Sequence, residues 1–332
     1  MNRPRMRTLA PPLSWVVRTL GSSRLLGGRQ SLVILMFHRV LAERDAMLPD
    51  EPDVDDFAAR MNVLADVFNV LPLQEAYQLL RAGALPPRAA CITFDDGYRN
   101  NLETALPVLQ ARGLPATVFV APGYADGRAM FNDVVIEAIR TAPCELDLAD
   151  LDLGRHSLSD MPGRARAANE IIGKLKYLPQ DTRSQRASVI AERAGLETMP
   201  RLMMNATELR QLRDAGIEIG AHTVWHPILR QVSIDDARRE IMSSKQQLEE
   251  VLSEKVRSFA YPNGKPGTDY GPEHVDLVQQ AGFDVAVSTA WGAATTASNP
   301  LELPRIAPWD LTALRYAARV LSAARDVKVT KA

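Results

Sequence analysis

Two short stretches of this chain hold residue types that do chemistry when they are brought together. The first, Cys91-Ile92-Thr93-Phe94-Asp95-Asp96-Gly97-Tyr98, is an apolar run ending in adjacent carboxylates and a glycine turn. Charges are costly to desolvate inside a sheet, so two acids at the end of an apolar strand should face a solvent cleft, a metal or each other. Asp-Asp-Gly is also an ordinary turn sequence, and alone it decides nothing. The second stretch, Gly220-Ala221-His222-Thr223-Val224-Trp225-His226-Pro227, carries two of the chain's five histidines, four residues apart, directly after another apolar run. In a helical turn that spacing sets both imidazoles on one side, and neutral imidazole is a favoured zinc ligand.

Together the stretches supply two imidazoles and a carboxylate, the three-ligand set of a catalytic zinc centre with one position open for water. The leftover carboxylate is then placed to take a proton from that water, which makes this a hydrolase constellation. The cofactor expected is one divalent metal, Zn2+ first, although Co2+, Ni2+ or Fe2+ suit the same ligands.

Something must hold these residues at one place. Short apolar runs alternate with amphipathic helical patterns through most of the chain, the signature of βα units around a largely parallel sheet or barrel. The strands read as residues 31–37, 89–94, 116–120, 217–221, 257–261, 283–288 and 303–307. Helical patterns before three of them stop at Gly113, Gly216 and Gly282, where glycine can take the left-handed conformation that closes a helix. Two clear helices run from Asp55 to Phe68, with Phe57, Met61, Leu64 and Phe68 on one face, and from Ser233 to Leu252. From about 125 to 206 the alternation lapses into an Arg-rich helical segment with no clear strand, read as an insertion packed on the barrel or covering it. The expected organisation is a basic tail over 1–30, a barrel over 31–310 and a C-terminal helix over 311–332.

With both motifs in view, the chain resembles the polysaccharide deacetylases of carbohydrate esterase family 4, the NodB-type homology domain, from about Leu32 to Pro308. Thr93-Phe94-Asp95-Asp96-Gly97 is similar to that family's TFDDG motif, and His222-Thr223-Val224-Trp225-His226 to its H-[ST]-x-x-H motif. The resemblance implies a distorted (β/α) barrel of about seven strands. It also implies Asp95 as catalytic base, Asp96, His222 and His226 as metal ligands, and removal of N-acetyl groups from amino sugars of a polysaccharide or glycan precursor.

A third segment, Phe259-Ala260-Tyr261-Pro262-Asn263-Gly264, resembles the family's F-R-P-P-Y-G. The resemblance gives the backbone amide of Asn263 a part in holding the oxyanion, with Tyr261 beside it, because a main-chain donor survives side-chain replacement. Ala260 stands where the family has an arginine that braces the base, and the C-terminal stretch from Leu301 to Trp309 lacks the family's acid histidine. Arg305 in the last strand is either the substitute brace or a surface arginine, and His38 at the end of the first is either the substitute general acid or a histidine hydrogen-bonded under a loop. Asn132 and Asp133 either line the cleft or cap a helix. His156 and His274 have no partner at ligand spacing and are read as solvent-facing. Trp225, Trp291 and Trp309 fall where an indole stacks on a sugar or fills the barrel end.

Composition narrows the rest. Hydrophobic residues at 46% and charged residues at 24% describe an ordinary globular chain, and a net charge of -1 gives no reason to expect a nucleic-acid partner. Cys91 and Cys144 lack any zinc or disulfide spacing. Residues 1–30 carry six arginines and no acid, without an apolar core of signal-peptide length. The expectation is a cytoplasmic protein, with peripheral membrane contact through Trp15, Val16, Val17 and Leu20 or else a basic tail without fixed structure. A small-molecule or lipid-linked deformylase or amidase, and an inactive glycan-binding barrel, are the competing classes.

Overall fold

The computed structural model describes residues 30–308, 310, 312–326 and 332. Residues 1–29 of the expected basic tail over 1–30, and Trp309, lie outside the described residues. In chain order the elements are β1 (Leu32–Phe37), α1 (Val54–Val67), β2 (Asn69–Val70), α2 (Leu73–Arg81), β3 (Ala89–Phe94), α3 (Leu106–Gln110), β4 (Thr117–Val120), α4 (Phe131–Thr141), β5 (Glu145–Leu148) and β6 (Gly154–Ser157). They continue with α5 (Met161–Leu175), α6 (Gln180–Arg193), α7 (Ala206–Asp214), β7 (Glu218–Ala221), α8 (Ile234–Leu252), β8 (Ser258–Ala260), α9 (Pro272–Gln280), β9 (Val285–Val287) and α10 (Ala313–Ala323). Side chains start the long helices: Asp53 accepts from the Asp56 amide before α1, Ser233 from the Asp236 amide before α8, and Asn205 with Glu208 forms a capping box at α7.

The apolar runs become parallel strands in the order β1-β3-β4-β7-β8-β9, with β2 also on β3. All six residues of β3 are buried, as expected of a strand covered on both faces. Alternation then sorts each strand. Ala90, Ile92 and Phe94 join the outer core under the helices, which includes Phe57, Met61 and Leu64 of α1. Ala89 and Cys91 turn inward with Ile34, Phe119, Ala260, Val287 and Leu303. The inner set is narrow: a Cβ on Gly220 would meet the Phe119 ring at 2.4 Å and Ser258 Oγ at 2.7 Å, so glycine is required by the close approach there.

The fold is thus a curled parallel sheet with helices outside, a distorted (β/α) barrel, but its strand list differs from the sequence reading in two places. Asn69–Val70 is an additional short strand, whereas 303–307 is not a strand. Pro304 has no N–H, and the Arg305 amide turns aside to the Ala290 carbonyl at 2.9 Å. The segment closes the ring through two isolated parallel bridges, Val287 with Leu303 and Leu35 with Ile306. The expected insertion also departs from an all-helical segment. It holds an antiparallel hairpin, β5 on β6, beside α4, α5 and α6, around its own core that includes Val135, Ile139, Leu148, Ile171 and Ile190. Four-residue strands, with every second side chain buried in β5 and none in β6, are too short for alternation to stand out against the helical pattern. Among the described residues no helix is long and apolar enough to cross a membrane.

Candidate active site

The inward faces of the strands run out at one rim, and there the polar residues begin. His38 follows β1, Asp95 and Asp96 follow β3, His222 follows β7, Asn263 follows β8 and Thr289 follows β9; together they line a cavity of about 500 Å³. This is the C-terminal end of the parallel strands, where barrels of this kind carry their sites.

Asp95 continues the inward alternation of Cys91 and Thr93, and its amide is held by the Phe37 carbonyl at 2.9 Å. Its carboxylate receives both Nη atoms of Arg305, each at 2.7 Å. Arg305 is fully buried, its Nε donates to the Ser288 carbonyl at 3.0 Å and its Nη1 also reaches Thr93 Oγ1 at 3.2 Å. Burial acts to raise the Asp95 pKa, but the charges of Arg305 and His222 outweigh it and hold the carboxyl below its ordinary range.

The chain then turns sharply. Asp96 has φ 76° and Gly97 φ 84°, and this left-handed pair swings the Asp96 carboxylate across the rim. Thr223 at 59°, His226 at 50° and Asn263 at 58° are left-handed as well. Four of the seven non-glycine residues with positive φ among the described residues therefore stand at this rim, a concentration of backbone strain at one place. The histidine loop is pinned from outside by Glu240 of α8, which accepts from the Val224 and Trp225 amides at 2.8 Å each.

Asp96, His222 and His226 bring one ligand atom apiece within 4.8 Å of one another. His226 Nε2 stands 3.4 Å and His222 Nε2 3.5 Å from Asp96 Oδ1, which is buried and has no hydrogen-bond partner. Ligand atoms bonded tetrahedrally to one zinc ion are about 3.3 Å apart, so the group fits a divalent cation and the orphaned oxygen would gain a partner from it. His222 Nδ1 is 2.7 Å from the Ala260 carbonyl, which fixes the ring so that Nε2 faces Asp96. Burial, opposed by Asp96, pushes the His226 imidazole down to about 3 and keeps it neutral. Burial lowers His222 too, but the facing carboxylate of Asp96 and the charge of Asp95 carry it above the ordinary histidine value.

Other expectations are corrected. Tyr261 does not reach the cavity: its fully buried ring stacks on Tyr270 at 3.8 Å, its hydroxyl donates to the Leu301 carbonyl at 3.0 Å, and its amide goes to Val287. Ala260 faces inward, so the next residue must point outward. His274 is buried: Nδ1 accepts from the Gly271 amide at 3.0 Å and Nε2 is 3.1 Å from the Leu229 carbonyl. His156 is half-buried with Nε2 3.0 Å from the Leu153 carbonyl. Trp225 packs edge-on against Tyr124 with Arg128 over its ring, in a hollow beside the main cavity, while Trp291 packs on the outer core away from the site.

Asn132 and Asp133 line the cavity, one of the two places the sequence left open for them, but the wall that Asp133 builds with Arg39 and Tyr98 was not foreseen. Asp133, at the start of α4, is 1% exposed, accepts from Arg39 Nη2 at 2.6 Å and from the Tyr98 hydroxyl at 3.2 Å, and ties the insertion to the barrel. Arg39 lies 4.0 Å over the Tyr98 ring. Burial pushes Asp133 up to about 6 against the pull of Arg39. The only signals were adjacency, Arg39 to His38 and Tyr98 to the acidic pair.

A parallel barrel whose strand ends converge two carboxylates and two imidazoles on one cavity is the frame of a hydrolytic enzyme. Comparison with known proteins gives the family. The model for polysaccharide deacetylase matches residues 82–162 and 186–286, more than half of the chain. The chain belongs to that family, whose members are hydrolases of carbon–nitrogen amide bonds. YxkH of Bacillus subtilis (strain 168), named for the same family, is 22% identical over 277 residues, 83% of this chain and 70% of the relative. Among solved structures, the deacetylase PplD of Streptococcus pyogenes, in complex with acetate, superposes with a TM-score of 0.60 at 18% identity, covering 88% of this chain and 99% of that one. IcaB from Ammonifex degensii gives 0.57 at 19%, covering 89% and 97%. At these identities the likeness is one of fold.

Proposed function

We propose that this chain removes the acetyl group from an N-acetylated amino sugar in a glycan or glycan precursor, using one divalent metal held by Asp96, His222 and His226. The single observation that carries the reading is the orphaned, buried Asp96 Oδ1 between two imidazoles, beside a second carboxylate braced by a buried arginine. The bound ion would polarise the acetyl carbonyl and acidify a water molecule. Asp95, kept ionised by Arg305, accepts the water's proton. The Asn263 amide, which has no protein partner among the described residues, donates to the oxygen that gains charge at the tetrahedral stage. His38, on the same cavity wall, gives a proton to the departing nitrogen, which leaves as the free amine while the acyl group leaves as acetate. The acetate in the PplD structure is the product this reading requires.

The test is acetate release from a panel of N-acetylated glycans and monosaccharide derivatives, run with metal-stripped and metal-restored protein. Acetate released only with metal supports the reading. Formate released from N-formyl substrates in preference to acetate would replace deacetylation by deformylation. No stoichiometric binding of a divalent ion would return the chain to a glycan-binding role.

A further inference from the structure

On the cavity wall Arg39 is paired with Asp133, and Asp95 with Arg305 behind it. Three cations are not. Arg183 of α6 is 4% exposed and rests one face of its guanidinium on the Phe131 ring at 4.3 Å, while its Nε is buried with no hydrogen-bond partner. No carboxylate among the described residues ion-pairs with it, and its charge is near enough to the cluster to depress His226. Arginine cannot shed its proton, so a buried guanidinium without an anion is held at a cost that an arriving anion would remove. Lys176, half-buried between α5 and α6, and Lys265, exposed after β8, line the same cavity, again with no ion pair to a carboxylate among the described residues. Burial lowers the Lys176 ammonium, Asp269 counters this, and the charge of Lys265 adds to the lowering. Two elements of the insertion and one loop of the barrel thus place positive charge on the wall of the cavity that holds Asp96, His222 and His226.

We infer that this side of the cavity is a subsite for an anionic group, a phosphate or a carboxylate carried on or next to the acylated sugar, held by Arg183 with Lys176 and Lys265. The inference rests on the amide-hydrolase reading only for the sugar; the anion site follows from the unpaired cations. A planar guanidinium suits the two-point contact that phosphate and carboxylate oxygens both offer. The two lysines, longer and more flexible, would add charge without fixing orientation.

The experiment is calorimetric titration of metal-free protein, so that no anion binds through a metal, with N-acetylglucosamine 1-phosphate, N-acetylglucosaminuronic acid and the neutral methyl glycoside of N-acetylglucosamine. At least one anionic sugar should bind about tenfold more tightly than the neutral one, the effect of one charge-assisted hydrogen bond. Which of them does so tells phosphate from carboxylate. The preference should weaken as salt is raised and fall towards unity in Arg183→Gln, with part kept in Arg183→Lys. Equal affinity for all three sugars, or a preference unchanged in Arg183→Gln, overturns the subsite. Should Arg183→Gln fail to melt cooperatively, the double variant Lys176→Gln/Lys265→Gln carries the test, and an unchanged preference there overturns it equally. A preserved preference in a protein that releases no acetate defeats the deacetylase reading and leaves the subsite standing. Acetate release with no preference does the reverse.

Discussion

Replacing Arg305 by methionine removes both Nη donors from Asp95 and the Nε donor from the Ser288 carbonyl, while Thr93 Oγ1 keeps only its bond to the Leu35 carbonyl. The pair is secluded, with side-chain exposures of 0% and 4%. Breaking a buried pair from one side costs about 3–5 kcal/mol because the remaining charge is stranded, against a total stability of about 5–15 kcal/mol for an ordinary domain. The sign of the pH dependence follows. In the native chain the Asp95 pKa is depressed, so its stabilising contribution is present above the unfolded value of about 3.9 and is lost as pH falls through the depressed one. In Arg305→Met, burial acts without the guanidinium and the pKa rises, so the variant is weakest at high pH and recovers as acid neutralises Asp95. Urea unfolding of metal-free protein at pH 8 and pH 5 should show the full loss at pH 8 and a smaller one at pH 5. Asp95→Asn added to Arg305→Met should restore part of the loss, and the acid limb of the acetate-release profile should move to higher pH. A loss under about 1 kcal/mol at both pH values, with the acid limb in place, would refute the brace.

Three further outcomes follow from the same geometry. Because His222 is carried above its ordinary value while Asp96 is already ionised, binding a divalent ion should expel a proton from His222, so affinity falls as pH falls through that raised value; titrations in buffers of different ionisation enthalpy would detect the proton, and its absence would mean a different ligand set. His38→Gln should lower turnover by about 10²-fold or more and erase the basic limb of the rate profile while metal binding persists; an unchanged profile would remove His38 as the acid. Asp133, raised to about 6, binds its proton more readily folded than unfolded, so metal-free stability should decline as pH climbs from 4 towards 6, and Asp133→Asn should flatten that slope in urea titrations.

The candidate metal group was legible because its residues are local: Asp96 after one strand, His222 and His226 after another, both at strand ends that the apolar runs mark plainly. What lay beyond reach was any position whose meaning depends on a distant partner. Asp133 meets Arg39 only because the insertion docks on the barrel, 94 residues away in sequence, and nothing in the Arg-rich stretch sets Arg183 apart from its neighbours. Arg305 is the intermediate case. Residue type and strand position made it a candidate, but its direction depends on which parity of each strand faces inward. The structure supplies that rule: Ala89, Cys91, Thr93 and Asp95 share one face of their strand, and the small residues at 220, 258 and 260 mark the same face elsewhere. Leu303 sits on that inner face, so Arg305, two residues on, must as well, and the alternation that buries Tyr261 outside the barrel is the one that delivers the guanidinium to Asp95. In this barrel a narrow inner face of Ala, Gly, Ser and Cys is therefore the readable sign of inward parity, and a long polar side chain on that parity at the C-terminal rim belongs to the site.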